Sequence, residues 1–172
     1  MISTKVRFAV LALAVICLGV ALYLAAYEPA ALLALAIALL IRGYFKDGTV
    51  VLAAKAFRNK DYEKAERLLK EIKNPDYLRK NRRGYYEFIL GNVALHKQDY
   101  EEAETHFQIA SRFPLGSEND KGIVLVHLAN LNLRKKDYVR VRAYIEKARE
   151  LKISARIEDI IEKIEQEIQK GS

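Results

Sequence analysis

Cysteine occurs once in the 172 residues, methionine once, proline three times and glycine eight times. A single thiol, Cys17, excludes an intramolecular disulfide and any cysteine-based zinc site. So little glycine and proline excludes long disordered linkers and favours helix. The glycines Gly84, Gly91, Gly116 and Gly122 are scattered and form no phosphate-cradling loop, and neither HExxH nor Gly-x-Ser-x-Gly occurs. The three histidines, His96, His106 and His127, fall on three different predicted helices. The carboxylates Glu101, Glu102 and Glu104 read as a solvated helix face. No enzyme activity, cofactor or metal is therefore expected. Net charge is +7, yet no basic stripe interleaved with aromatics runs along one element, so nucleic acid is not an expected partner.

Charge is unevenly spread. Between residues 8 and 41 the only charged side chain is Glu28. From Phe8 to Tyr27 there are 20 uncharged residues, enough at about 1.5 Å per residue to cross a hydrocarbon core of about 30 Å. A first span over about 6–27 is predicted, preceded by Lys5 and Arg7 and ending near Tyr23 and Tyr27. A cleaved signal peptide is the rival reading, but no clear small-x-small cleavage site follows and a second apolar run begins almost at once. Glu28-Pro29 is expected to turn the chain, with Pro29 at the first position of the next helix. A second apolar run, about 29–45, ends with Arg42 free to snorkel; a re-entrant helix is its alternative. The turn carries no Lys or Arg, whereas Lys5, Arg7, Arg42, Lys46, Lys55 and Arg58 flank the two outer ends. Both ends are thus expected on the cytoplasmic side, as in a prokaryotic inner or plasma membrane protein.

After this anchor the chain repeats. The turns Asn59-Lys60-Asp61-Tyr62, Lys97-Gln98-Asp99-Tyr100 and Lys135-Lys136-Asp137-Tyr138 recur at a period of 38 residues. Before each turn stands a large residue and then a small one: Leu52-Ala53, Leu90-Gly91, Leu128-Ala129. After it come an aromatic (Tyr62, Tyr100, Tyr138), a small or branched residue (Ala65, Ala103, Val141) and a bulky one (Leu69, Phe107, Ile145). These share one helical face. The extra length falls between hairpins, around 74–80 and 114–119. Asn74-Pro75-Asp76 reads as a helix start, Ser117 with Asp120 as a capping box, and Ser154 as the cap of a last helix, 155–170. That helix carries Ile157, Ile160, Ile161, Ile164 and Ile168 on one stripe, as a terminal cap requires.

On these residues the stretch 49–153 resembles the tetratricopeptide repeat family, most closely between Tyr85 and Pro114. The expected fold is all-α: a membrane hairpin over 1–46, three helix-turn-helix repeats over 47–153 forming an α-solenoid, and a capping helix with its tail over 154–172. The resemblance implies a protein-binding scaffold whose first helices line a concave peptide groove. It places Tyr85, Phe88, Asn92, Leu95 and His96 there from the middle repeat, and Ile123, Val126, His127, Asn130, Leu133 and Arg134 from the third. In this family an asparagine at the position of Asn92 and Asn130 often holds the backbone of an extended peptide; the competing reading is ordinary side-chain packing. The carboxylate clamp of chaperone-binding members is not matched, since Val50 and Ala54 replace its first-repeat residues. The cluster Arg79, Lys80, Arg82 and Arg83 suits an anionic leaflet or an acidic partner, or is a solvated link. Expected partners are therefore proteins, through an extended segment or another membrane protein, and lipid through residues 6–45. The alternative function is a structural or assembly subunit of a membrane complex, docked through its hairpin.

Overall fold

In the computed structural model, residues 4–171 are described, with side chains described for 12–38 and 48–170. The described residues form helices and no strand, so the all-α expectation holds. They divide into two compact units, 1–48 and 49–172.

The first unit contains α1 (Thr4–Tyr23) and the start of α2 (Tyr27–Arg58). The turn comes earlier than expected. Ala25 takes a left-handed conformation, φ 53°, in the turn over 24–26 that separates α1 from α2. Glu28 and Pro29 therefore lie within the first turn of α2, where a missing backbone N–H goes unnoticed. Large apolar side chains here are exposed: Leu13, Val15, Ile16, Val20, Leu22, Leu32 and Leu35. Among the described residues, however, no helix is long and apolar enough to cross a membrane. The expected transmembrane hairpin finds no support there; its spans include 6–11 and 39–45, which lie outside the described side chains.

The second unit stacks helical hairpins. Residues 49–58 of α2 pair with α3 (Tyr62–Lys70), α4 (Lys80–His96) with α5 (Tyr100–Ser111), and α6 (Glu118–Arg134) with α7 (Tyr138–Arg149); α8 (Ala155–Gly171) closes the set. Helix α8 starts 37 residues after α6, nearly one period, so the cap occupies the register of a fourth first-helix.

The three turns are alike in atomic detail. Lys60, Gln98 and Lys136 each have a positive φ of 62°, 64° and 58°. The following aspartate N–H returns to the helix five residues back: Asp61 to Ala56, Asp99 to Ala94, Asp137 to Asn132, at 2.9–3.0 Å. This closes the first helix with a Schellman motif built without glycine. The same aspartate then opens the second helix. Its side chain accepts from the N–H of Lys64, Glu102 or Arg140 at 3.0–3.1 Å. Asp99→Ala is expected to lose about 1 kcal/mol of stability, read as a lower urea midpoint of the full chain in mild detergent.

Side chains predicted for the core are there. Ala65, Leu69, Ala103, Phe107, Val141 and Ile145 are all buried, as are Ile157, Ile161, Ile164 and Ile168 of α8. The glycines are less scattered than they look. Gly84 and Gly122 stand one period apart, and each receives a link residue: a Cβ on Gly84 would lie 2.9 Å from the Pro114 carbonyl oxygen and 3.0 Å from Leu115, and one on Gly122 would lie 2.5 Å from Ile153. Because the Pro114 oxygen is backbone, it cannot swing aside. Gly84→Ala should cost about 1–3 kcal/mol through overpacking, and an unshifted thermal midpoint would refute this close approach.

The expected helix start at Asn74 is instead a separate 3-10 turn, Pro75–Tyr77, with the Asn74 side chain accepting from the Asp76 N–H at 3.1 Å. Ser117 does cap α6, accepting from the Asp120 N–H at 3.1 Å.

Candidate binding face

The first helices carry the residues expected in a groove, and the structure divides them by what they touch. On α4, Phe88 is half-buried. Its ring meets Phe57 edge-on at 5.8 Å and tilts against Phe107 at 6.3 Å, joining two apolar clusters. Leu95 packs against the cluster around Phe107. Val126 is buried in the third hairpin's core, with Ile123 and Leu133 packed against that core. Tyr85 donates its hydroxyl to Asp120 Oδ2 at 2.8 Å, bridging the second and third hairpins. Burial, and then this carboxylate, push the Tyr85 phenol above its ordinary pKa.

Two of the expected residues serve the joints between hairpins. His96 stacks on Tyr62 at 4.3 Å, and Arg134, one period later, lies over the Tyr100 ring at 3.8 Å. The next residue in each case also crosses the joint. Lys97 donates to Glu66 at 2.7 Å and Lys135 donates to Glu104, again one period apart. Hydrogen bonds from Lys70 and Lys97 hold Glu66 below the ordinary carboxylate range. With Lys97 half exposed, such a pair contributes at most about 1 kcal/mol. At the second joint the fully buried Asn132 also donates to Glu104 and to the Leu128 carbonyl.

Asn92 is half-buried and donates its amide to the Phe88 carbonyl at 2.8 Å, leaving its own oxygen as an acceptor. Asn130 is also half-buried, one period later. Of the basic cluster, Arg83 turns inward: its side chain is 13% exposed and forms ion pairs with Glu87 at 2.8 Å and Asp76 at 3.0 Å. Lys80 and Arg79 are exposed and Arg82 half-exposed.

Sequence reasoning missed the polar group that Arg83 joins. Glu87 is only 2% exposed and also meets His106 Nδ1 at 2.6 Å. One period on, Leu125 and Tyr144 stand at the positions of Glu87 and His106; one period back, Thr49 and Leu68 do. A buried carboxylate where the neighbouring repeats have no charge was the available signal. Arg83 and His106 supply the partners without which such burial would be costly. His127 is held differently, its ring stacked on Phe107 at 4.8 Å with 10° between planes. Burial lowers its pKa to about 4, keeping the imidazole neutral. Among the described residues no group of three or more metal-binding side chains gathers.

No family model, curated protein or solved structure matches this chain.

Proposed function

We propose that the chain is a membrane-anchored, non-catalytic adaptor of tetratricopeptide type, whose repeats hold an extended peptide of a partner protein at the cytoplasmic face of a membrane. The observation that carries this reading is the triple recurrence, at 38 residues, of one turn geometry and one cap. Repetition of that kind stacks first helices side by side and presents equivalent side chains as a row, which suits a ligand with a repeating backbone. Asn92 and Asn130 are such a row, and each amide offers a donor and an acceptor. Anchoring rests on the uncharged run Phe8–Tyr27 and on the exposed apolar side chains of α1 and α2, which water would not tolerate as a patch. Tethering raises the effective concentration of the repeats toward other membrane components.

The second reading, an assembly subunit docked through its hairpin, draws on those same exposed side chains, which could face protein as well as lipid. Two measurements separate the readings. The full chain is purified from its native cell in mild detergent and its partner identified by mass spectrometry. Replacing Asn92 and Asn130 together by Ala is then expected to weaken that partner about tenfold or more, equivalent to about 1.4 kcal/mol, while circular dichroism stays unchanged. Exchanging residues 1–46 for an unrelated anchor should leave binding intact. Loss of the partner in the exchange, with normal binding by the double variant, would install the subunit reading instead.

A further inference from the structure

One helical turn beyond each of the two asparagines stands a base. His96 follows Asn92 and Arg134 follows Asn130 by four residues, and Arg58 follows Ala54 at the same positions of the first hairpin. Residues four apart share a helix face, so Arg58, His96 and Arg134 form a row beside the asparagines. All three are exposed. The residues after His96 and Arg134 are bases as well, but Lys97 and Lys135 are spent on Glu66 and Glu104. Among the described residues, no carboxylate pairs with Arg58, His96 or Arg134. Tyr62 and Tyr100 lie against His96 and Arg134 instead, a contact that covers one face of a flat group and leaves its N–H edge to donate. Lys60 and Lys136, in the first and third turns, are exposed too, while Asp61 and Asp137 beside them accept from helix N–H groups.

Resting on the peptide-adaptor reading above, we infer that the bound segment is acidic: its backbone lies on Asn92 and Asn130, and Asp or Glu side chains within it reach Arg58, His96 and Arg134. Charge complementarity selects this occupant. Exposed bases without carboxylate partners attract anions, and a guanidinium offers paired donors that match the two oxygens of a carboxylate. Spacing sets where the acids fall. Neighbouring helices pack about 8–10 Å apart, so Arg58 and Arg134, two hairpins apart, are separated by about 16–20 Å. Six residues of extended chain cover about 19–20 Å, and residues i and i+6 face the same way in both strand and polyproline II backbones. Two acids six residues apart therefore meet the two arginines, with His96 between them.

The full chain in mild detergent is panned against a phage library displaying random segments of about twelve residues, long enough to span the row, between glycine-serine flanks. Enriched segments are expected to carry Asp or Glu at two positions six residues apart, well above their frequency in the starting library. A synthetic copy of the most enriched segment should bind about fivefold more weakly when its two acids become Gln, and the unaltered copy should bind the variant Arg58→Gln with Arg134→Gln more weakly by a similar factor. Because Arg134 also lies on Tyr100, Arg58→Glu, at an exposed side chain without an ion pair among the described residues, gives the cleaner reversal. It should move the preference at one of the two positions from acid to Lys or Arg. Enriched segments without acids, or acidic ones whose binding ignores both Arg58 variants, overturn the inference and leave the peptide-groove reading standing. No enrichment at all brings that reading down and takes the inference with it. Self-association of the full chain in sedimentation, abolished by Arg58→Glu, would put a second copy on the row and overturn the acidic segment as well.

Discussion

Phe107→Ala is expected to remove about 3–5 kcal/mol of stability, the largest loss for a single truncation in the repeats. The ring is fully buried and belongs to a cluster drawn from three helices, α4, α5 and α6. One side lies against Gly91, where a Cβ would come within 2.8 Å of the ring. Others meet Phe88 at 6.3 Å and stack on His127 at 4.8 Å. Removing it leaves a void with walls on separate hairpins, and because each wall is fixed by its own helix the void cannot collapse. The measurement is urea unfolding of the full chain in mild detergent, followed by far-ultraviolet circular dichroism. A reduced slope along with the reduced midpoint would mean that the third hairpin has come uncoupled from the second, as a one-dimensional stack allows. Phe107→Leu, which keeps most of the volume, should cost distinctly less. A loss below about 1 kcal/mol for the alanine variant would show that the ring does not join the hairpins.

Acid should destabilise the repeats through His127. In the folded chain its pKa is about 4, against about 6.5 for an unperturbed histidine. Above pH 6.5 both folded and unfolded forms are neutral, and the contribution of this side chain is fully retained. As pH falls below 6.5 the unfolded chain takes up a proton that the folded chain refuses, so stability drops by about 1.4 kcal/mol per pH unit. The loss reaches about 3 kcal/mol near pH 4, where the folded form begins to protonate as well. His127→Phe keeps an aromatic ring against Phe107 and removes the titration. The expected result is a stability difference between the two proteins that grows steadily from pH 7 to pH 4 in favour of the variant. Parallel pH profiles would show that the imidazole is solvated in the folded chain.

The repeat was legible because it is written in local terms. A Schellman turn and an aspartate cap need only neighbours within five residues, so Asp61, Asp99 and Asp137 announced all three hairpins. Apolar periodicity did the same for Leu69, Phe107 and Ile145, since the residues that must face inward on a helix recur at fixed steps. The anchor's turn was less legible. Proline suggested a start at Pro29, but a proline is accommodated anywhere in the first helical turn, and the left-handed Ala25 is not a residue type that marks such a turn.

Side-chain fate was the part that depended on the assembled structure. Asn92, His96 and Arg134 share the outward offsets of one repeat pattern, yet His96 and Arg134 lie on tyrosines of the preceding hairpin and Phe88 ties two cores together. Arg83 looked like one of four surface cations until Glu87 and Asp76 turned it inward. By itself the sequence determined an all-α chain, its period, its turns and its buried stripes, because these follow from backbone capping and helical spacing. Only the tertiary structure decided which polar side chains are spent on joints between hairpins. Those partners sit on different helices, 19–35 residues away in the chain, and no local rule brings them together.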